Sequence, residues 1–425
     1  MMPLPSRFAS PSTRSTDRVD DRHALRDTPA MSVRIWLLLL ISSTACGAAS
    51  HTVVGEGAQR HELVELPTIE IKTDRTSGKP LTYVKDHDAL VDQAMAEFHA
   101  EHWADAVRLY DILLREFPNT PGLGAIAHNC GLALQNMGMH KEAAARFATA
   151  RLHNAGTRHA RDGLFLQAES LELAGDVTGA ATLYRDALDD AKTQEQIGGE
   201  LGILDALEAA ARMGLCWRAA GEIKFADDAF RRVERLYNDH RDVQVVGESE
   251  WVARSAYERG ELYRELFASI RFKLPVDRMK RDLEDKANLF LKAENSYYHC
   301  VRLHHKQWSL ASGHNIGGLY TRLIDDIDNA EVPPEVTEQL ADVYRDELWN
   351  HTEHLAKRAV VIYRKNIELG KTLGASESDW VAKSESGLSR MMATIERNQA
   401  RRARLLQAGA ISPQPKKDEP PPPAP

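Results

Sequence analysis

Two groups of histidines are the residues here whose types and spacing could do chemistry. Glu347, His351 and His354 recur at four and three residues, which puts a carboxylate and two imidazoles on one helix face, a spacing that permits a metal ion. His299, His304 and His305 form a looser cluster around Cys300. A histidine-lined site in this C-terminal half would make the protein an enzyme. The plainer explanation, an exposed surface rich in glutamate and histidine, is preferred for both groups. Other signatures are missing: there is no phosphate-cradling glycine loop and no Cys-x-x-Cys, and His61-Glu62 is followed by Leu-Val-Glu. A Ser/His/Asp triad assembles in space rather than in sequence, so spacing selects none. The expectation is a non-catalytic protein with no metal and no cofactor.

Cysteine offers a different chemistry. From Met31 to Cys46 the chain has one arginine, a seven-residue apolar core and then small residues, which reads as a signal peptide too short to span a bilayer. Residues 1–30 are polar and expected to be disordered, or to lie upstream of a true start at Met31. Thr44-Ala45-Cys46-Gly47 resembles the end of a bacterial lipobox, with Ser43 where leucine is usual. The resemblance implies lipidation of Cys46. By analogy with lipoprotein sorting, Gly47 in place of aspartate favours a periplasm-facing outer-membrane lipoprotein. Cleavage near Ala45 or Ala48 without acylation, giving a soluble periplasmic protein, is the alternative.

The formal net charge is −8. Residues 1–45 hold six arginines and four aspartates, so their removal makes the remainder more acidic still. With no basic run, nucleic acid is not an expected partner. If Cys46 carries lipid, Cys130, Cys216 and Cys300 remain, too few for a disulfide framework, and they read as buried small residues with at most one bridge. Residues 47–84 read as a flexible tether, in which 64–71 alternates apolar and charged residues as a short strand would. Residues 410–425 read as a disordered proline-rich tail.

The elements that must position any site come from a repeat. Ala106 with Tyr110, Ala143 with Phe147, and Ala180 with Tyr184 are alanine–aromatic pairs 37 residues apart, each preceded by a small residue twelve positions upstream: Ala94, Gly131 and Ala168. A fixed period in this range marks a solenoid of stacked helical hairpins. Facing small residues let two antiparallel helices approach closely, and the aromatic is expected to fill the gap against the next pair.

These units resemble tetratricopeptide repeats. The family's small first-helix residue matches Ala94, Gly131 and Ala168, its inter-helix glycine matches Gly138 and Gly175 but is Glu101 in the first unit, and its terminal proline matches Pro118 only. The resemblance implies an all-α solenoid wound as a right-handed superhelix, with about four repeats over 85–248. Gly214, Gly221, Ala226 and Phe230 continue the order. An irregular, similar region over 249–409 would follow, with long helices: Gly260 then Ala293 with Tyr297, Gly317 then Ala359 with Tyr363, a separate helix Glu335–Trp349 after Pro333-Pro334, and a capping helix Trp380–Leu406 bearing Arg397, Arg401, Arg402 and Arg404.

In that family first-helix side chains line a partner-binding groove. Carried onto this chain, the positions are Met95, Phe98 and His99; His128, Leu132, Gln135 and Asn136; Asp162, Phe165, Glu169 and Glu172; and Glu208 and Arg218. The resemblance thus implies a protein–protein interaction scaffold, and the acidic lean of the last two repeats favours a basic or amphipathic segment of a cell-envelope protein. Residues 249–408 are loosely similar to lipoproteins beside gliding-motility and Tol-like systems. An assembly factor for outer-membrane barrels or secretin pores is the nearest rival.

Overall fold

The computed structural model describes residues 60, 61, 63 and 87–412, all within one compact unit, Val54–Pro425. Cys46, the signal-like stretch 31–46, the strand-like stretch 64–71 and residues 413–425 lie outside the described residues. Among the latter there are helices and no strands. Three hairpins open the series: α1 (His87–His99) with α2 (Trp103–Glu116), α3 (Leu123–Asn136) with α4 (His140–His153), and α5 (Arg158–Leu173) with α6 (Val177–Asp189). A short α7 (Ala191–Gln196) leads to α8 (Ile203–Ala219) with α9 (Ile223–Asp239), and a single turn, α10 (Gln244–Gly247), leads to α11 (Glu250–Ser269) with α12 (Val276–Arg302). The sixth hairpin is α13 (Lys306–Asp328) with α14 (Ala341–Thr372), and α15 (Asp379–Gln407) lies against both of its helices.

The small–aromatic pattern explains why each hairpin closes. A Cβ added to Gly131 would come 2.7 Å from the Phe147 ring, and one at Gly214, Gly260 or Gly317 would come 2.5 Å from Phe230, Tyr297 or Tyr363. The ring therefore covers the glycine of its own hairpin, where the sequence suggested that it fills the gap to the next pair. The reason is reach: the second helix folds straight back, so its aromatic meets the notch directly opposite. Tyr110, Phe147, Tyr184 and Tyr297 are fully buried, each contributing roughly 1.5–3 kcal/mol by removal from water.

The turns are equally regular. Gly138, Gly175 and Gly221 take φ of 74°, 84° and 78°, the left-handed geometry that ends a helix at little steric cost to glycine. Each is followed by the same closing bond, from Met139 N to Leu134 O, Asp176 N to Leu171 O and Glu222 N to Trp217 O, all at 2.9 Å. Glu101 adopts φ 60° in the first hairpin and keeps the equivalent bond, His102 N to Glu97 O at 2.9 Å. The turn thus survives without its glycine.

Two features of the second half differ from the sequence reading. The separate helix expected over Glu335–Trp349 is instead the start of α14, which runs unbroken from Ala341 after a 3-10 turn, Glu338–Leu340. Pro333-Pro334 lies in the break between α13, which ends at Asp328, and the 3-10 turn, but no glycine or proline follows before Gly370, so nothing halts helix propagation. Lys286 of α12 is fully buried: its Nζ lies 2.9 Å from Asp326 Oδ2 and donates to the carbonyls of Phe267 (2.6 Å) and Ile270 (3.1 Å). The ion pair ties α12 to α13 and the two hydrogen bonds hold the end of α11 to both, and nothing in the repeat pattern announces it. On α15, Arg397 and Arg404 are exposed, whereas Arg402 pairs with Asp346 of α14 at 3.2 Å.

Candidate functional site

On α5, Asp162, Phe165, Glu169 and Glu172 recur at three and four residues and so share one helix face. Asp205, Glu208 and Arg212 make the matching stripe on α8, the first helix of the next hairpin. The stripes meet through Arg212, whose Nη1 lies 3.3 Å from Glu172 and whose Nε lies 3.0 Å from Glu208, with Glu169 at 3.9 Å. The Tyr184 hydroxyl donates to Glu172 at 2.7 Å, tying α6 into the same network.

Into this acidic surface the chain inserts its own Arg60. That residue is 4 % exposed, its guanidinium carbon 3.7 Å above the centre of the Phe165 ring. It donates from Nη1 to Glu208 at 2.9 Å and from Nη2 to Asp205, and Asp162 lies 3.7 Å from Nε. Beside it, His61 Nε2 stands 3.3 Å from Glu169. The stretch expected to be only a flexible tether therefore supplies two groove residues.

Charge is shared unevenly across the surface. Burial pushes the Asp162 carboxyl above the ordinary aspartate range, against Arg60 and Arg158, which pull it down. Burial also acts to raise Glu169, but the bond from His61 and the charge of Arg212 outweigh it and hold the group below its usual value. Arg212 keeps its proton firmly: burial opposes the charge, and Tyr184 and the carboxylates of Glu172, Glu208 and Glu169 overcome it.

The remaining groove positions do not join this surface. Met95 and Phe98 are half-buried against the first hairpin's core, Phe98 edge-on to Trp103 at 4.9 Å, and His99 is exposed. His128 and Leu132 are buried within the repeat, His128 against Phe147 at 5.7 Å, so they pack rather than present a surface. Gln135 donates to Ser170 at 2.8 Å and Asn136 to Leu132 O at 3.0 Å. Arg218 is engaged by Glu258 and Glu265 of α11. Sequence reasoning missed Asp205, Arg212, Arg60 and His61. The i, i+3, i+7 stripe on α8 was a usable signal for the first two; the pair from the tether left none.

The histidine groups are dispersed. His351 meets Glu347 at 3.3 Å on an open face, and His354 is exposed. Burial pushes His299 down, and it stands edge-on to Tyr237 while lining a cleft of about 410 Å³ with Glu234, Arg259, Lys292 and Arg302. His304 occupies the turn before α13, at φ 56°. Among the described residues no three His, Cys, Asp or Glu side chains are placed to share a metal ion, and no helix is long and apolar enough to cross a membrane. Cys130, Cys216 and Cys300 are buried and unbridged, and burial pushes each thiol up to about 12.

A profile of the tetratricopeptide-repeat family matches residues 88–120, the first hairpin and the connection after it. The notch and ring recur in the hairpins that follow, and the left-handed glycine turn in the second to fourth, so the described residues form a helical-hairpin solenoid of the tetratricopeptide-repeat type, a fold that serves as a scaffold for binding other proteins. Among solved structures, a tetratricopeptide repeat protein from Parabacteroides merdae ATCC 43184 is similar at 14% identity, over 71% of this chain and 100% of that one, with a TM-score of 0.32. BtubC (BKLC) from P. vanneervenii is similar at 14% identity over 78% of this chain and 96% of its own, TM-score 0.27. The APC/C hetero-tetramer Cut9-Hcn1 is similar at 13% identity over 72% and 56%, TM-score 0.27. Comparison with curated proteins gives no match.

Proposed function

We propose that this protein is a non-catalytic scaffold of the bacterial cell envelope, lipid-anchored at Cys46 to the outer membrane and facing the periplasm. There it supports assembly or operation of a multiprotein complex of the gliding-motility or Tol-like kind. The observation that carries the binding part is the surface of the third and fourth hairpins, where the carboxylates of Asp162, Glu169, Glu172, Asp205 and Glu208 lie on two facing helices, paired with Arg158, Arg161, Arg212 and the inserted Arg60, which also covers the Phe165 ring. Such a surface favours a basic or amphipathic protein segment. The anchor and compartment are supported by the apolar run before Cys46 and the small residues around it.

The test is the mass of the mature N-terminus in membrane and soluble fractions, beside Cys46→Ser. An acylated Cys46, with the variant released from the membrane, is the expected result. An unmodified chain in the cytosol removes the envelope reading and leaves a soluble adaptor.

A further inference from the structure

Arg60 belongs to no repeat, yet it is among the most deeply buried charged side chains described. A buried guanidinium is tolerated only when it is paired and hydrogen-bonded, and here it is over-provided: Glu208 and Asp205 accept from its two terminal nitrogens, and Asp162 faces Nε. The guanidinium carbon stands 3.7 Å over the Phe165 ring centre, a contact that suits a planar, weakly hydrated cation. A lysine ammonium could approach one carboxylate but could not stack on the ring and fork to two acceptors together.

The walls of this socket belong to α5 and α8 and exist without Arg60. Remove that residue and, among the described residues, Asp205, 3 % exposed, keeps Arg161 at 3.6 Å; Glu208 keeps Arg212, and Asp162 keeps Arg158 at 4.0 Å. Each carboxylate would keep one arginine, but the point that all three face, beside the uncovered ring, would be left open to one more flat cation. Arg60 meets that demand from 98 positions before Arg158, where α5 begins, and its contacts are made through side chains. Beside the guanidinium the surface stays open: His61 and Glu169 are partly exposed, and a small cleft continues past Arg158, Ile197 and Gly198.

We infer that the third and fourth hairpins form an arginine-reading socket that the chain fills with its own Arg60, and that a protein partner enters by presenting an extended, arginine-bearing segment in its place. The inference deepens the scaffold reading by naming the partner's recognition element; it stands or falls separately from the lipid anchor. A tethered occupant competes at a local concentration on the order of millimolar, so an external segment meets a self-closed site rather than an empty one.

The test uses the full chain and a labelled octapeptide copying residues 57–64, read by fluorescence anisotropy. The Arg60→Ala chain should bind the peptide saturably, and the wild-type chain at least tenfold more weakly. Replacing the peptide's arginine by lysine, or adding Asp205→Asn to the Arg60→Ala chain, should each weaken binding tenfold or more. Equal binding to both chains, indifference to the arginine, or no binding by an Arg60→Ala chain of native helicity would overturn the inference. Should that variant lose its helical circular dichroism, hydrogen exchange on the wild-type chain decides. Millimolar peptide must then raise exchange within 57–64, and an unchanged pattern overturns the inference. Either result leaves the N-terminal mass measurement unaffected.

Discussion

Gly317 and Gly318 are neighbours on α13, yet alanine should act on them with opposite sign. In a helix interior alanine is better than glycine by about 1 kcal/mol, and at Gly318, where nothing lies within 4 Å of an added Cβ, that gain should appear in full. At Gly317 the added carbon would sit 2.5 Å from the Tyr363 ring. The ring has little room to move, because Gly387 of α15 packs so closely on it that a Cβ there would also come within 2.6 Å, and its hydroxyl is 3.2 Å from Thr321 Oγ1. Overpacking of this kind costs roughly 1–3 kcal/mol, and a pinned ring belongs at the upper end. Subtracting the helix gain leaves Gly317→Ala less stable by about 1–2 kcal/mol, so the two variants should differ by about 2–3 kcal/mol. Urea unfolding followed by tryptophan fluorescence reads this region, since Trp349 and Trp380 lie in the same helical cluster or beside it. A Tyr363→Leu background should shrink the Gly317→Ala penalty, because the two positions touch. If both alanines stabilise alike, the glycine–ring notch does not set the helix spacing, and the reading of every hairpin here is wrong.

Two further outcomes follow from single residues. Glu101→Gly should raise the melting temperature, because a non-glycine residue at φ 60° costs about 1 kcal/mol, and Glu101 is exposed with its turn bond made by backbone alone. An unchanged or lowered melt would show that the Glu101 side chain contributes something the turn geometry does not reveal. His314 lies between Tyr363 and Trp380, and burial, aided by Lys383, pushes it down to about 4. The unfolded chain takes up a proton near pH 6.5 that the folded chain refuses, so stability should fall as pH drops from about 6.5 to about 4 and then level, by at most on the order of 3 kcal/mol. Urea midpoints across that window should flatten in His314→Gln; parallel curves for the two proteins would place the acid sensitivity elsewhere.

Much of the architecture is legible along the chain because it is set by local rules. Ala94, Gly131 and Ala168, their aromatics twelve plus four residues on, and the glycines between them specify two helices, a left-handed turn and a notch, all within one short stretch. Sequence alone therefore determined that the chain is an all-α hairpin solenoid, that irregular pairs centred on Tyr297 and Tyr363 continue it, and that a helix from about Trp380 closes it. The acidic stripe on α5 was visible for the same reason, since residues three and four apart share a face. What only tertiary structure decided are the contacts between distant segments: the fusion of the helix after Pro333-Pro334 into α14, the burial of His128 and Leu132, Lys286 held against Asp326, and Arg60 set among Asp162, Asp205 and Glu208. Spacing cannot announce such pairs, because a cation and a carboxylate meet through the fold that brings them together and leave no period in the chain.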